Sequence, residues 1–274
     1  MKSKILFSDL DDTLLNKDKS ISRQNRRAIV EMLEQGHYFV AVTGKPIAAG
    51  RRVVRNLGLT MPGCYMIAFN GALIYDCAAD RVLFERTLPL DIVREIIEEA
   101  DREGIYVQTY QRTYILTREH RKELDFYLEQ ARMTYKLVPD IFSYLEKEPH
   151  KVIAVSVDGA EPLLKLRENF KKKHPEMWNR CNCFFSNDEY LEFCPKDTNK
   201  GMGVKYLSEF LNIPIEDTVA VGDGRNDISM IKTAHIGVAV ENAISDVKKE
   251  ADYITEQNHE NGAVAEVIER FINQ

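Results

Sequence analysis

Three carboxylates and a hydroxyl crowd the amino-terminal stretch: Asp9, Asp11, Asp12 and Thr13. Two carboxylates as close as Asp9 and Asp11 repel by roughly 4 kcal/mol at about 4 Å and an effective dielectric near 20. A hard divalent cation with oxygen ligands relieves that repulsion. A carboxylate can also attack phosphorus and form an acyl phosphate, which splits a hard hydrolysis into two easier steps. Asp9 is the candidate nucleophile. Asp11 is the candidate acid and base, first protonating the leaving oxygen and then deprotonating the attacking water. The same acids suit a solvated turn, so this stretch alone leaves both readings open.

Three further clusters complement it: Thr43-Gly44, Lys200-Gly201 and Gly222-Asp223-Gly224-Arg225-Asn226-Asp227. Thr43 offers a hydroxyl, Gly44 an unhindered N–H and Lys200 a point charge to phosphoryl oxygens. Mg2+ held by Asp9, the backbone carbonyl of Asp11 and Asp223 would screen an anionic nucleophile from a dianionic phosphate. Asn226 and Asp227 could orient metal waters or hold Lys200. Each cluster alone is ordinary: a turn, a solvated lysine, an acidic loop without the later Glu of an EF-hand. Their order along the chain and their placement at strand ends raise the signal.

That placement rests on the flanking elements. Ile5–Phe7, Tyr38–Val42, Cys64–Phe69 and Thr218–Val221 are apolar runs of strand length, ending at Asp9, Thr43, Asn70-Gly71 and Gly222. Ile29, Val30 and Leu33 mark a helix from Ser20 to Gln35, capped by Ser20 or Ser22 and ended by Gly36. Ala48–Leu57, the Val204–Leu211 face and the Val264–Phe271 face supply further helices. Strands alternating with helices imply an α/β fold with a Rossmann-like, doubly wound parallel sheet, which binds ligands beyond the carboxyl ends of its strands. The pattern changes over residues 83–191. There a helix at Asp91–Ala100, a hairpin of Ile105–Tyr110 with Thr113–Thr117, and strands at Lys151–Val157, Cys183–Ser186 and Tyr190–Phe193 predict an inserted α+β module. The expected division is 1–82, 83–191 and 192–274. Tyr106, Gln108, Tyr110 and Arg112 are polar residues of the insert whose facing the sequence does not rank.

Composition narrows the partners. A net charge of -6 argues against non-specific nucleic-acid binding. Five cysteines, with Cys181 and Cys183 lacking a second pair nearby, suit neither a disulfide framework nor a zinc site. No apolar run approaches the ~20 residues of a membrane span. A cytoplasmic protein with a small phosphate ester as partner, and neither nucleic acid nor membrane, is expected. No feature fixes an oligomeric state.

DLDDTLL, VTGK, NKG and GDGRND, in that order, resemble the four motifs of the haloacid dehalogenase-like hydrolase superfamily. The insert is similar to the α/β cap of its Cof-type subfamily, and FNGA at Phe69–Ala72 and the tail GVAVENA also resemble that subfamily. The resemblance implies a Mg2+-dependent phosphatase working through an aspartyl-phosphate, with Asp9 as nucleophile, Asp11 as acid and base, and a cap that selects the substrate, usually a sugar phosphate. With it go Leu10, Thr43, Gly44, Lys200 and Asn226 at the phosphate, Asp9, Asp11 and Asp223 at the metal, and Asp227 and Asn70 in support. Asp12, Lys45 and Glu241 depart from the usual pattern, and none removes a catalytic group. A phosphomutase acting on a hexose phosphate, or a catalytically idle sugar-phosphate sensor, are the alternatives.

Overall fold

The computed structural model describes residues 2–273. Its strands in chain order are β1 (Ile5–Asp9), β2 (Tyr38–Val42), β3 (Cys64–Ala68), β4 (Leu73–Asp76) and β5 (Arg81–Glu85). They continue as β6 (Tyr106–Gln111), β7 (Tyr114–Thr117), β8 (Thr134–Leu137), β9 (Val152–Val155), β10 (Cys181–Asn187) and β11 (Tyr190–Pro195). The last three are β12 (Thr218–Gly222), β13 (Ile236–Ala239) and β14 (Tyr253–Ile254). The chain divides into two compact units. One holds the stretches through Gly44, Gly50–Phe84 and from Asn199 onward; the other holds Lys45–Ala49 and Glu85–Thr198.

The first unit is built on one sheet of order β14-β13-β12-β1-β2-β3-β4-β5. From β14 to β3 every pairing is parallel. Such strands are covered on both faces and read as unbroken apolar runs; Ile5, Leu6 and Phe7 of β1 are fully buried. The sheet is mixed, because β4 runs antiparallel to β3. Only Phe69–Ala72 separates them, whereas a parallel crossover needs a dozen residues or more. The helix expected from Ser20 spans Arg23–Glu34, because Ser22 stays extended and its hydroxyl accepts the Asn25 N–H.

The second unit has a sheet of order β10-β11-β9-β6-β7-β8, antiparallel except for the β7–β8 pair. One face, with Val107, Leu116, Leu191 and Phe193, shares a core with Ile92 and Ile96 of helix Leu90–Arg102 and Leu166 and Phe170 of helix Glu161–Lys173. The alternate residues are polar and still buried. Lys151 Nζ donates to Glu192 at 2.9 Å, and Tyr106, Gln108, Tyr110 and Tyr127 form a hydrogen-bonded chain. Arg112 instead occupies the hairpin turn with φ 51° and pairs with Glu146 at the surface. The unit runs on to Thr198 because the boundary expected near 191 falls inside β11, which bonds to β9 and β10. Among the described residues no helix is long and apolar enough to cross a membrane.

Candidate active site

Register alone brings the strand ends together. Asp9 ends β1 opposite Val42, next to Thr43; Ser8 pairs with Val221, two residues before Asp223; and Val42 pairs with Ile67, near Asn70. Parallel neighbours point their carboxyl ends the same way, so residues from three distant stretches share one edge. Lys200 begins the helix Lys200–Phe210, whose cap, Asn199, accepts the Met202 N–H through its side chain. The helix start can come close only because Gly71, at φ 101°, lacks a Cβ; a Cβ there would lie 2.2 Å from the Asn199 carbonyl oxygen.

Lys200 is buried, and its Nζ donates to the carboxylates of both Asp9 and Asp227. Asp227 uses its other oxygen to accept the N–H groups of Asp223 (3.0 Å) and Gly224 (2.9 Å), which fixes the loop after β12. A Cβ on Gly222 would sit 2.5 Å from the Asp227 side chain, so that close turn needs glycine. Asp223 accepts a 2.6 Å hydrogen bond from the Thr13 hydroxyl. Carboxylate oxygens of Asp9, Asp223 and Asp227 all lie within 4.8 Å of one another.

Three acids, Asp9 and Asp227 buried and Asp223 half-buried, thus lie around one ammonium. Burial raises the Asp9 pKa well above its usual range; Lys200 opposes this, and the charges of Asp227, Asp223 and Asp11 reinforce it. Asp223 is pushed up to about 7, by burial first and by Asp227 next, against the Thr13 hydrogen bond. Burial alone would depress Lys200, but the carboxylates of Asp227 and Asp9 outweigh it and hold its pKa above the ordinary value. A divalent cation would relieve this excess of negative charge, so the group fits one. Asp9 and Asp223 would hold it, while Asp227 is already engaged by Lys200 and two backbone N–H groups.

The other expected residues surround this group. Asp11 lies two positions beyond Asp9, its carboxylate paired with Lys19 Nζ at 2.9 Å, which leaves its backbone carbonyl as the expected metal contact. Leu10, between them, is fully buried, and its carbonyl accepts the Leu14 and Leu15 N–H groups. Thr43 is buried, its N–H donating to Ile67 and its carbonyl accepting from Asn70. Gly44 lies under Asn70, whose side chain would be 3.0 Å from a Cβ there. Asn226 donates to Asn70 Oδ1 at 3.2 Å. Asp12 takes a left-handed backbone with φ 56°, which aspartate tolerates.

Sequence reasoning missed Thr13, Lys19 and Asn242. Thr13 stood inside the acidic stretch and was available as a signal. Asn242 was not, because its contact with the Asp12 carbonyl, at 2.8 Å, spans 230 residues. Its neighbour Glu241 turns its N–H to Thr255 Oγ1.

This edge arrangement defines a class. The sequence profile of the haloacid dehalogenase-like hydrolases matches residues 6–268, and the chain belongs to that family. A crystal structure of a haloacid dehalogenase-like hydrolase from Bacteroides thetaiotaomicron is 30% identical, with a TM-score of 0.89 over 98% of this chain and 99% of that one. Two Bacillus subtilis (strain 168) proteins are also similar. Phosphatase YwpJ is 28% identical over 98% of this chain and 100% of its own length. The 5-amino-6-(5-phospho-D-ribitylamino)uracil phosphatase YitU is 26% identical over 98% of each.

Proposed function

We propose that this chain is a Mg2+-dependent phosphatase that hydrolyses small phosphate monoesters, sugar phosphates or related metabolites, through an aspartyl-phosphate on Asp9. The observation that carries the reading is the close group of Asp9, Asp223 and Asp227, with the buried Lys200 bonded to the first and last of them. Similarity over almost the full length to proteins named as phosphatases supports it. One of those names specifies an ester on a ribityl chain, a polyol phosphate.

In this mechanism an Asp9 carboxylate oxygen attacks phosphorus. The ester P–O bond breaks, and Asp11, which enters the step protonated and released from its pair with Lys19, gives its proton to the departing oxygen. Asp11, now a carboxylate, takes a proton from water as that water attacks the acyl phosphate. As the new P–O bond forms, the bond from phosphorus to the Asp9 carboxylate oxygen breaks, which releases inorganic phosphate and restores Asp9. Lys200, with Thr43, Gly44, Leu10 and Asn226, offers positive charge or hydrogen-bond donors to the phosphoryl oxygens. Asp227 holds Lys200, and Asn70 holds Asn226. A bound Mg2+, held by Asp9, the Asp11 carbonyl and Asp223, would offset phosphoryl charge. A cytoplasmic setting belongs to the same proposal and is supported by five cysteines that are all free thiols.

The test is Asp9→Asn assayed on an aryl phosphate with and without Mg2+. Turnover is expected to fall by about a thousandfold or more, with an unchanged circular dichroism spectrum. Turnover retained at the wild-type level ends the nucleophile assignment.

A further inference from the structure

Beyond Asp11 the chain turns sharply. Asp12 is left-handed, and the Leu14 and Leu15 N–H groups both return to the Leu10 carbonyl. Two asparagine side chains tie this turn to the carboxyl-terminal segment. Asn242 Nδ2 donates to the Asp12 carbonyl at 2.8 Å, while its Oδ1 accepts the His259 N–H at 3.0 Å. Asn25, fully buried, donates to the Leu14 carbonyl at 3.5 Å and accepts the Ala265 N–H at 2.9 Å. A primary amide carries one acceptor and two donors on a short stem, so it can link a carbonyl of one segment to an N–H of another. The same segments meet again where Lys17 lies 3.9 Å from Glu260 and the buried His259 ring lies 4.0 Å from the Asp12 carboxylate. Asn25 sits in the helix Arg23–Glu34 and is bound up with its packing. Asn242 is exposed and outside any helix or strand, so its bonds serve the turn.

We propose that Asn242 is a positioning residue for the acid-base step, setting Asp11 by fixing the carbonyl of the next residue. The proposal rests on the phosphatase reading above and deepens it. Asn242 touches no reacting atom. It acts through the backbone, where a shift of about 1 Å can cost about a hundredfold in rate.

Asn242→Ala and Asn242→Asp decide the matter on two esters, an alkyl phosphate, whose leaving oxygen must be protonated, and 4-nitrophenyl phosphate, whose leaving group departs readily as an anion. In both variants kcat/KM for the alkyl ester is expected to fall about tenfold, and for the aryl ester less than about threefold. Asn242→Asp keeps the acceptor for His259 and loses the donor to Asp12, so it should match the alanine variant. Equal losses on both esters, no loss on either, or a wild-type Asn242→Asp enzyme would overturn the proposal. Amide exchange at Thr13 to Leu15 gives a readout independent of turnover: faster exchange in Asn242→Ala is expected, and unchanged exchange also overturns it. A wild-type chain that hydrolyses neither ester defeats the phosphatase reading itself and leaves the exchange result to judge whether Asn242 fixes the turn.

Discussion

Thr13 donates a 2.6 Å hydrogen bond to Asp223 across 210 residues of sequence. The threonine is fully buried, and its hydroxyl favours the ionised form of a carboxylate that burial would neutralise. It therefore aims and charges the group that the strand after the insert contributes to the site.

Removing that donor should weaken metal binding. Thr13→Val is expected to raise the Mg2+ concentration for half-maximal turnover by about tenfold or more, the usual effect of losing a partner of a metal ligand. Thr13→Ser should restore it. A Mg2+ titration checks both variants, and an unchanged midpoint in Thr13→Val would detach Thr13 from the metal.

Asp223 also sets a pH dependence. Its folded value of about 7 lies above its ordinary 3.8. Between those limits the folded, metal-free chain binds more protons than the unfolded chain, so stability from this group is full below about pH 4 and lost as pH rises through 7. Asp223→Asn removes that loss while keeping an acceptor for Thr13. In EDTA it should raise Tm at about pH 8 and leave it unchanged near pH 4. A gain of equal size at both pH values would refute the assignment.

Lys200 neutralises two buried carboxylates. Lys200→Met is expected to destabilise the chain by about 3–5 kcal/mol near neutral pH, because Asp9 and Asp227 lose their shared cation. Urea unfolding measures the loss. A change under about 1 kcal/mol would mean that the acids find another partner.

Gly71 and Gly104 make a matched pair. Both have positive φ, but a Cβ on Gly71 meets the Asn199 carbonyl oxygen at 2.2 Å, whereas one on Gly104 has nothing within 4 Å. Gly104→Ala should lower stability by about 1 kcal/mol through backbone strain alone. Gly71→Ala should lower it further and reduce turnover as well, because the helix that begins with Lys200 must shift. Equal effects of the two changes would show that the approach at Gly71 is unimportant.

Legibility followed burial. β1, β2, β3 and β12 could be read because strands covered on both faces are written as unbroken apolar runs, with polar residues where they stop. β8 could not, since it is only four residues long and all four are exposed, so its brief alternation marks no buried face. β4 and β5 were hidden in a short return after β3: Asn70-Gly71 favours a turn there, but the positive φ of Phe69 is announced by no residue type. At the site, Asp9, Asp223 and Asp227 stood out because charged residues just past apolar runs are conspicuous, and Lys200 because it stands with Gly201 at the start of a helix. Lys19 and Asn242 did not, because their partners are chosen by folding and their neighbours in sequence carry no trace of the contact.

The placement of β1 between β2 and β12 has a consequence for synthesis. One flank of β1 is covered as soon as Val42 emerges, but the other waits for Thr218, beyond the whole of the second unit. A ribosome adds about 5–20 residues per second, so that apolar flank stays open for roughly ten to forty seconds. During that interval the nascent chain offers a bare strand edge to any other nascent chain nearby.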